Sequence, residues 1–181
     1  MIELKSARDR EKMRLAGRVV AEVLGELRQA VHSGITTREL DVVADRGIKR
    51  RGGIPVFKGY HGYPASVCVS VNDQVVHGIP GSRVLQPGDL VSIDLGATVD
   101  GFVGDAAFSM FVEYAPNERA EELLRVTEES LYKGIEAARV GNRLGDVSAA
   151  VQQHVEAHGF SVVRDFVGHG VGRQMHEEPQ V

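Results

Sequence analysis

The sequence holds a single cysteine, Cys68, so no intramolecular disulfide can staple the chain, and a lone thiol fits a reducing cytosol. No run approaches the ~20 apolar residues that a bilayer crossing requires. The opening stretch MIELKSARDREKM is charged, with no apolar signal core, no twin arginine and no acceptor glycine for myristate. Charge of one sign is also scarce. Lys and Arg number 21 against 25 Asp and Glu, a net charge of −4, which gives no reason to expect nucleic acid or an anionic membrane as partner. These absences predict a soluble cytoplasmic protein. The 181 residues, 43% hydrophobic and 25% charged, are enough for one core or most of a larger one.

The residues present organise around one hairpin, VSIDLGATVDGFVGDAAFSMF, from Val91 to Phe111. Asp100-Gly101 separates two β-prone runs and is a strong two-residue turn signal, because both central positions take positive φ. That turn pairs Val99 with Phe102, so paired residue numbers sum to 201. Asp94 then lies opposite Ala107 and Asp105 opposite Gly96. Period-two alternation sends both carboxylates from one face as diagonal neighbours, with Cβ atoms roughly 7 Å apart. Two solvated acids on an exposed face is the bland reading. The flanking strands are too apolar for it, and converging acids repel unless something neutralises them, so a metal site is the leading reading.

Before the hairpin, Ser6 with Asp9 caps an amphipathic helix to about Val31, striped by Met13, Ala16, Val20, Val23, Leu24 and Leu27. Thr36 with Glu39 caps a second helix that ends at Gly52-Gly53. Ile54 to Phe57 reads as a short strand and Ser66 to Val71 as another, with Val67, Val69 and Val71 on one face and Ser66, Cys68 and Ser70 on the other. Asn72-Asp73 turns the chain into a strand-like Gln74 to His77, and Pro87-Gly88-Asp89 turns it into the hairpin. After the hairpin, a helix is predicted from Glu118 to about Ala138, with Leu123, Leu124, Leu131 and Ile135 inward. A further helix spans about Leu144 to Ala157, and Phe160 to Val163 reads as a strand. Gly34 aligns with Gly141 at an offset of 107 residues, which also aligns Leu40 with Val147 and Gly52 with Gly159. An α+β unit used twice is expected, over about residues 6–113 and 117–181 of a single catalytic domain.

His169, glycine-flanked in VGHGVG, is the histidine best placed to leave its imidazole exposed in a cleft. With Asp94 and Asp105 it makes a mixed oxygen and nitrogen set suited to Mn²⁺, Fe²⁺, Co²⁺ or Zn²⁺. Three ligands are few for two metals. Glu177 and Glu178 are nearby candidates, but adjacent strand residues point to opposite faces. His77 in VVHGIPG and His176 in QMHEEP sit at the ends of strand-like runs, either as imidazoles that hydrogen-bond a substrate amide or as groups satisfied by backbone. Tyr60, Tyr63 and Cys68 could line an apolar pocket with polar tips or simply pack. His32, His154 and His158 read as helix-surface or helix-end residues.

The strings EKMRLAGRVVAEVL, GYHGYPASVCVSVN, HGIPG, GDLVSIDLG, DGFVGDAAFSMF, GFSVVRDFVGHGVG and MHEEPQV together resemble type I methionine aminopeptidase, from the first helix to the last residue. The resemblance implies the pita-bread α+β fold, with its pseudo-twofold repeat, shared with creatinase and prolidase. It implies Asp94, Asp105 and His169 as ligands of two divalent ions, Co, Mn, Fe, Zn or Ni. His77 and His176 are implied to contact substrate and steady the reacting carbonyl. Phe57, Tyr60, Tyr63, Cys68 and Met175 fall in stretches that form the methionine pocket. The implied activity is removal of the initiator methionine from nascent polypeptides, near the ribosome, by an enzyme that is monomeric when intact. The family takes two further glutamate ligands from beyond HEEPQV. A C-terminally truncated, ligand-deficient and inactive chain with an incomplete second half is therefore expected. The alternatives are a catalytically dead binding fragment of the same fold, or an X-Pro peptidase of the prolidase or aminopeptidase P kind.

Overall fold

The computed structural model describes residues 2–181. They form two compact units. The first takes the residues up to Ala115 together with Val171–Glu177, and the second takes Pro116–Gly170 with Glu178–Val181.

In the first unit, α1 (Ala7–Ala30) and α2 (Thr37–Arg50) each begin at a reciprocal capping box, Ser6 with Asp9 and Thr36 with Glu39. Four strands follow: β1 (Ile54–Pro55), β2 (Cys68–Val71), β3 (Leu90–Val99) and β4 (Phe102–Phe111). All pairings are antiparallel. β4 runs along one edge of β3, while β2 and β1 share the other edge in tandem. Asp100 at φ 48° and Gly101 at φ 77° make the turn, and the register pairs Asp94 with Ala107 and Gly96 with Asp105. The apolar face of this sheet, with Val67, Val69, Val71, Val91, Ile93, Leu95 and Ala97, packs with Ala16, Val20, Val23 and Leu27 of α1 and Leu40, Ala44 and Ile48 of α2. Gly104 permits the close approach of α1: a Cβ there would fall 2.7 Å from the Ala16 carbonyl carbon.

Three expected strands differ. β1 stops at Pro55 because the chain turns at Phe57, whose carbonyl accepts from Tyr60 N–H at 3.0 Å. Gln74 to His77 is irregular, with Val75 61% exposed. Gln74 Oε1 accepts the Val71 N–H at 3.0 Å, taking the bond a strand partner would have made. Phe160 to Val163 is also irregular. Phe160 N–H turns back to the Val155 carbonyl, and the Arg119 guanidinium stacks 3.7 Å from its ring centre.

The second unit pairs α3 (Glu118–Ala137) with α4 (Leu144–Ala157), followed by a small sheet of β5 (His169–Gly170) and β6 (Glu177–Gln180), all but the first residue of β6 belonging to this unit. The inward face of α3 is not the expected one. Val126, Ser130 and Gly134 are buried, whereas Leu123, Leu131 and Ile135 are exposed. Close packing favours the small residues: a Cβ at Gly134 would stand 2.9 Å from Val151 Cγ2 of α4, so that side chain would have to shift to admit one.

Candidate metal centre

The sheet face opposite the core carries small and polar side chains. Ser92 and Ser109 meet across it at 2.7 Å, and Cys68 stands directly beside Asp94 in the β2–β3 register. Expected to be the polar face of β2, it is nevertheless buried: Ser66, Cys68 and Ser70 are all nearly inaccessible. Ser66 and Ser70 are held by groups from elsewhere in the chain. Ser66 donates from its N–H to Asp41 at 2.7 Å and from its hydroxyl to Asp45 at 3.0 Å, and Ser70 Oγ accepts the Gly78 N–H at 3.1 Å.

Asp94 and Asp105 are half-buried, and their side chains hydrogen-bond each other across the diagonal. Burial first, then the Asp105 charge, pushes the Asp94 carboxyl well above the usual carboxylate range. Two converging carboxylates whose charges oppose each other would be neutralised by a divalent cation beside them, so this donor set fits a metal ion. Gly96, opposite Asp105, has Phe57 lying against it. A Cβ there would come within 2.7 Å of Phe57 Cε1, so the glycine brings the aromatic ring beside the acids.

His77 adopts φ 59°, and Gly78 after it docks on β2. The Gly78 carbonyl accepts from Val69 N–H at 2.9 Å and from the Tyr63 hydroxyl at 3.0 Å, and that hydroxyl also reaches the Val67 carbonyl at 3.1 Å. Tyr63 is thus a clamp on the His77 loop. Burial raises the pKa of both its phenol and the Cys68 thiol, so both stay neutral.

Met175 and His176 arrive on Val171–Glu177, the segment that returns to the first unit. Val103 N–H donates to the Gly172 carbonyl at 2.7 Å, Lys5 Nζ meets Glu177 Oε2 at 2.5 Å, and Arg173 stacks on Phe102. Glu177 is therefore spent on anchoring and is not turned to the acid pair. Tyr60 OH lies 2.9 Å from His176 Nδ1. Phe57, Tyr60, Tyr63, Cys68, His77, Asp94, Asp105, Met175 and His176 all belong to the first unit, and His169 alone belongs to the second. The His169 Nδ1–H donates to the Gly170 carbonyl at 3.1 Å, which makes Nε2 the nitrogen suited to a metal. Sequence reasoning missed Gly78 and Gly96 as positioning residues. The signal for the first was the HG dipeptide of HGIPG; the Tyr60–His176 pairing spans 116 positions and had none.

The model of metallopeptidase family M24 matches residues 11–181. A methionine aminopeptidase of Clostridium perfringens is 54% identical over 181 residues, 100% of this chain and 72% of that protein. Methionine aminopeptidase 1 of Bacillus subtilis is 52% identical, over 100% of this chain and 73% of its own length. The crystal structure of methionine aminopeptidase from Thermotoga maritima superposes with a TM-score of 0.96 at 46% identity, covering 99% of this chain and 72% of that one. Prolidase from Pyrococcus furiosus shares the fold alone, at 22% identity and a TM-score of 0.85 over 98% of this chain and 51% of that one. With the pita-bread α+β fold and similarity at these identities along the whole of this chain, the chain belongs to metallopeptidase family M24, in its methionine aminopeptidase branch.

Proposed function

We propose that the hairpin site serves metal-dependent removal of N-terminal methionine from new polypeptides in the cytoplasm. The observation that carries this reading is the half-buried Asp94–Asp105 pair within a family match covering nearly the whole chain. Asp94, Asp105 and His169 are the residues that would hold two divalent ions. Bound, the ions would supply a water activated at neutral pH and a Lewis acid for the scissile carbonyl. His77 and His176 hydrogen-bond the peptide carbonyl and the charge that develops on it. Tyr60 orients His176, and with the phenol donating to Nδ1, the proton on Nε2 is the one offered to substrate. Phe57, Tyr63, Cys68 and Met175 bound the pocket, whose neutral walls suit an unbranched thioether.

The test loads the chain with Co²⁺ or Mn²⁺ and offers Met-Ala-Ser and an Xaa-Pro peptide. Metal binding that is lost in Asp105→Asn, with Met-Ala-Ser binding selectively, supports the reading. Release of free methionine from Met-Ala-Ser supports it further, whereas metal binding unchanged in Asp105→Asn, or cleavage of the Xaa-Pro peptide alone, overturns it.

A further inference from the structure

A second cluster of metal-ligating side chains lies within the second unit, away from the hairpin. One carboxylate oxygen of Glu129 on α3 and one ring nitrogen each of His154 and His158 lie within 4.8 Å of one another, all three residues half-buried. His154 and His158 stand one turn apart at the end of α4, on one helix face, with ring centres 4.7 Å apart. Glu129 reaches across from α3, placing Oε2 3.0 Å from His154 Nε2. His158 caps α4, and its Nδ1–H donates to the His154 carbonyl at 2.8 Å. That bond settles the tautomer and leaves Nε2 carrying the lone pair, the same backbone-directed orientation that prepares imidazoles as metal ligands.

A Glu–His hydrogen bond alone suffices to tie α4 to α3, and it does not call for a second imidazole at the same point. Two imidazoles and one carboxylate with an open fourth position are a donor set for zinc and its neighbours in the first transition row, not for magnesium or calcium. Ligands about 2.0–2.1 Å from a tetrahedral ion stand roughly 3.3 Å from one another. The Glu129–His154 separation of 3.0 Å is already close to that, and the third donor lies within 4.8 Å of both. Arg125 Nη1 donates to the other carboxylate oxygen, Oε1, at 2.6 Å. Its charge opposes a cation, yet the bond keeps Glu129 ionised and leaves Oε2 to the cluster.

We propose that Glu129, His154 and His158 form a zinc-type divalent site that bridges α3 and α4. It is independent of the hairpin centre and serves to lock the helix pair. The experiment titrates the metal-free 181-residue chain with Zn²⁺, reading stoichiometry and affinity by calorimetry and melting by circular dichroism. Asp105→Asn provides the background in which hairpin binding is impaired. In that background one Zn²⁺ equivalent is expected to bind and raise the melting temperature. His158→Gln and Glu129→Gln should each weaken it by at least about tenfold and cancel the rise. His158 lies at the helix end, so its variant keeps the test informative even if His154→Gln disturbs folding. The proposal is overturned if neither substitution changes the Zn²⁺ titration, if no equivalent binds in the Asp105→Asn background, or if Mg²⁺ raises the melting temperature as much as Zn²⁺.

Discussion

The Tyr60 hydroxyl and His176 Nδ1 stand 2.9 Å apart, joining the loop after β1 to the returning segment before β6. A single neutral hydrogen bond of this kind is worth about 0.5–1.5 kcal/mol. Tyr60→Phe is expected to leave the fold intact, to weaken Met-peptide binding by about 2–10-fold, and to mix the His176 tautomers. Nitrogen chemical shifts of the imidazole report the tautomers directly. Unchanged shifts in the variant would remove Tyr60 from the positioning role.

The acid pair makes the metal-free protein sensitive to pH in an unusual direction. The Asp94 carboxyl is raised on folding, so the folded chain binds a proton that the unfolded chain has released. Stability is then greatest on the acid side and falls as pH rises from about 4 through about 7. Glu26 and Asp45, lowered mainly by Arg51 and Lys49 respectively, act in the opposite sense, but only as pH falls through and below the ordinary carboxylate range. In EDTA the melting temperature should drop by about 2–4 °C across the window relative to Asp94→Asn. Mn²⁺ should abolish the difference. Parallel melting curves for the two proteins in EDTA would contradict the account.

Cys68 is 5% exposed, and burial pushes its thiol up to about 11. Only the thiolate reacts, so at pH 8 the native chain should be labelled by a disulfide reagent at least about 100-fold more slowly than in denaturant. Equal rates would mean that the β2 face is open.

Two glycines should respond to alanine in opposite ways. At Gly78 a Cβ would overlap the Val69 carbonyl and stand 2.8 Å from Ser70 Cα, both backbone atoms. Gly78→Ala should cost about 1–3 kcal/mol and release the His77 loop. Gly17 is exposed within α1 and has nothing within 4 Å of its added methyl. Gly17→Ala should stabilise by about 0.5–1 kcal/mol. Urea unfolding distinguishes the two, and a neutral Gly78→Ala would show that the loop is not pinned on β2.

The sequence by itself determined what short-range chemistry controls. Asp100-Gly101 set the hairpin register and hence the shared face of Asp94 and Asp105, because a two-residue turn leaves a ladder no other pairing. Ser6 with Asp9 and Thr36 with Glu39 set where α1 and α2 start, because a capping box satisfies backbone donors within one turn. Only the tertiary structure decided which surfaces are covered. Period-two alternation separates the valines of β2 from Ser66, Cys68 and Ser70, yet it cannot say that Asp41, Asp45 and Gly78 come to satisfy the second face. A period of 3.6 nominated Leu131 and Ile135 of α3, whereas close approach to α4 chose Ser130 and Gly134. The return of Val171–Glu177 to β4, through Val103 with Gly172 and Phe102 with Arg173, and the delivery of His176 to Tyr60 depend on packing between residues about seventy to more than a hundred positions apart, and no local pattern encodes them.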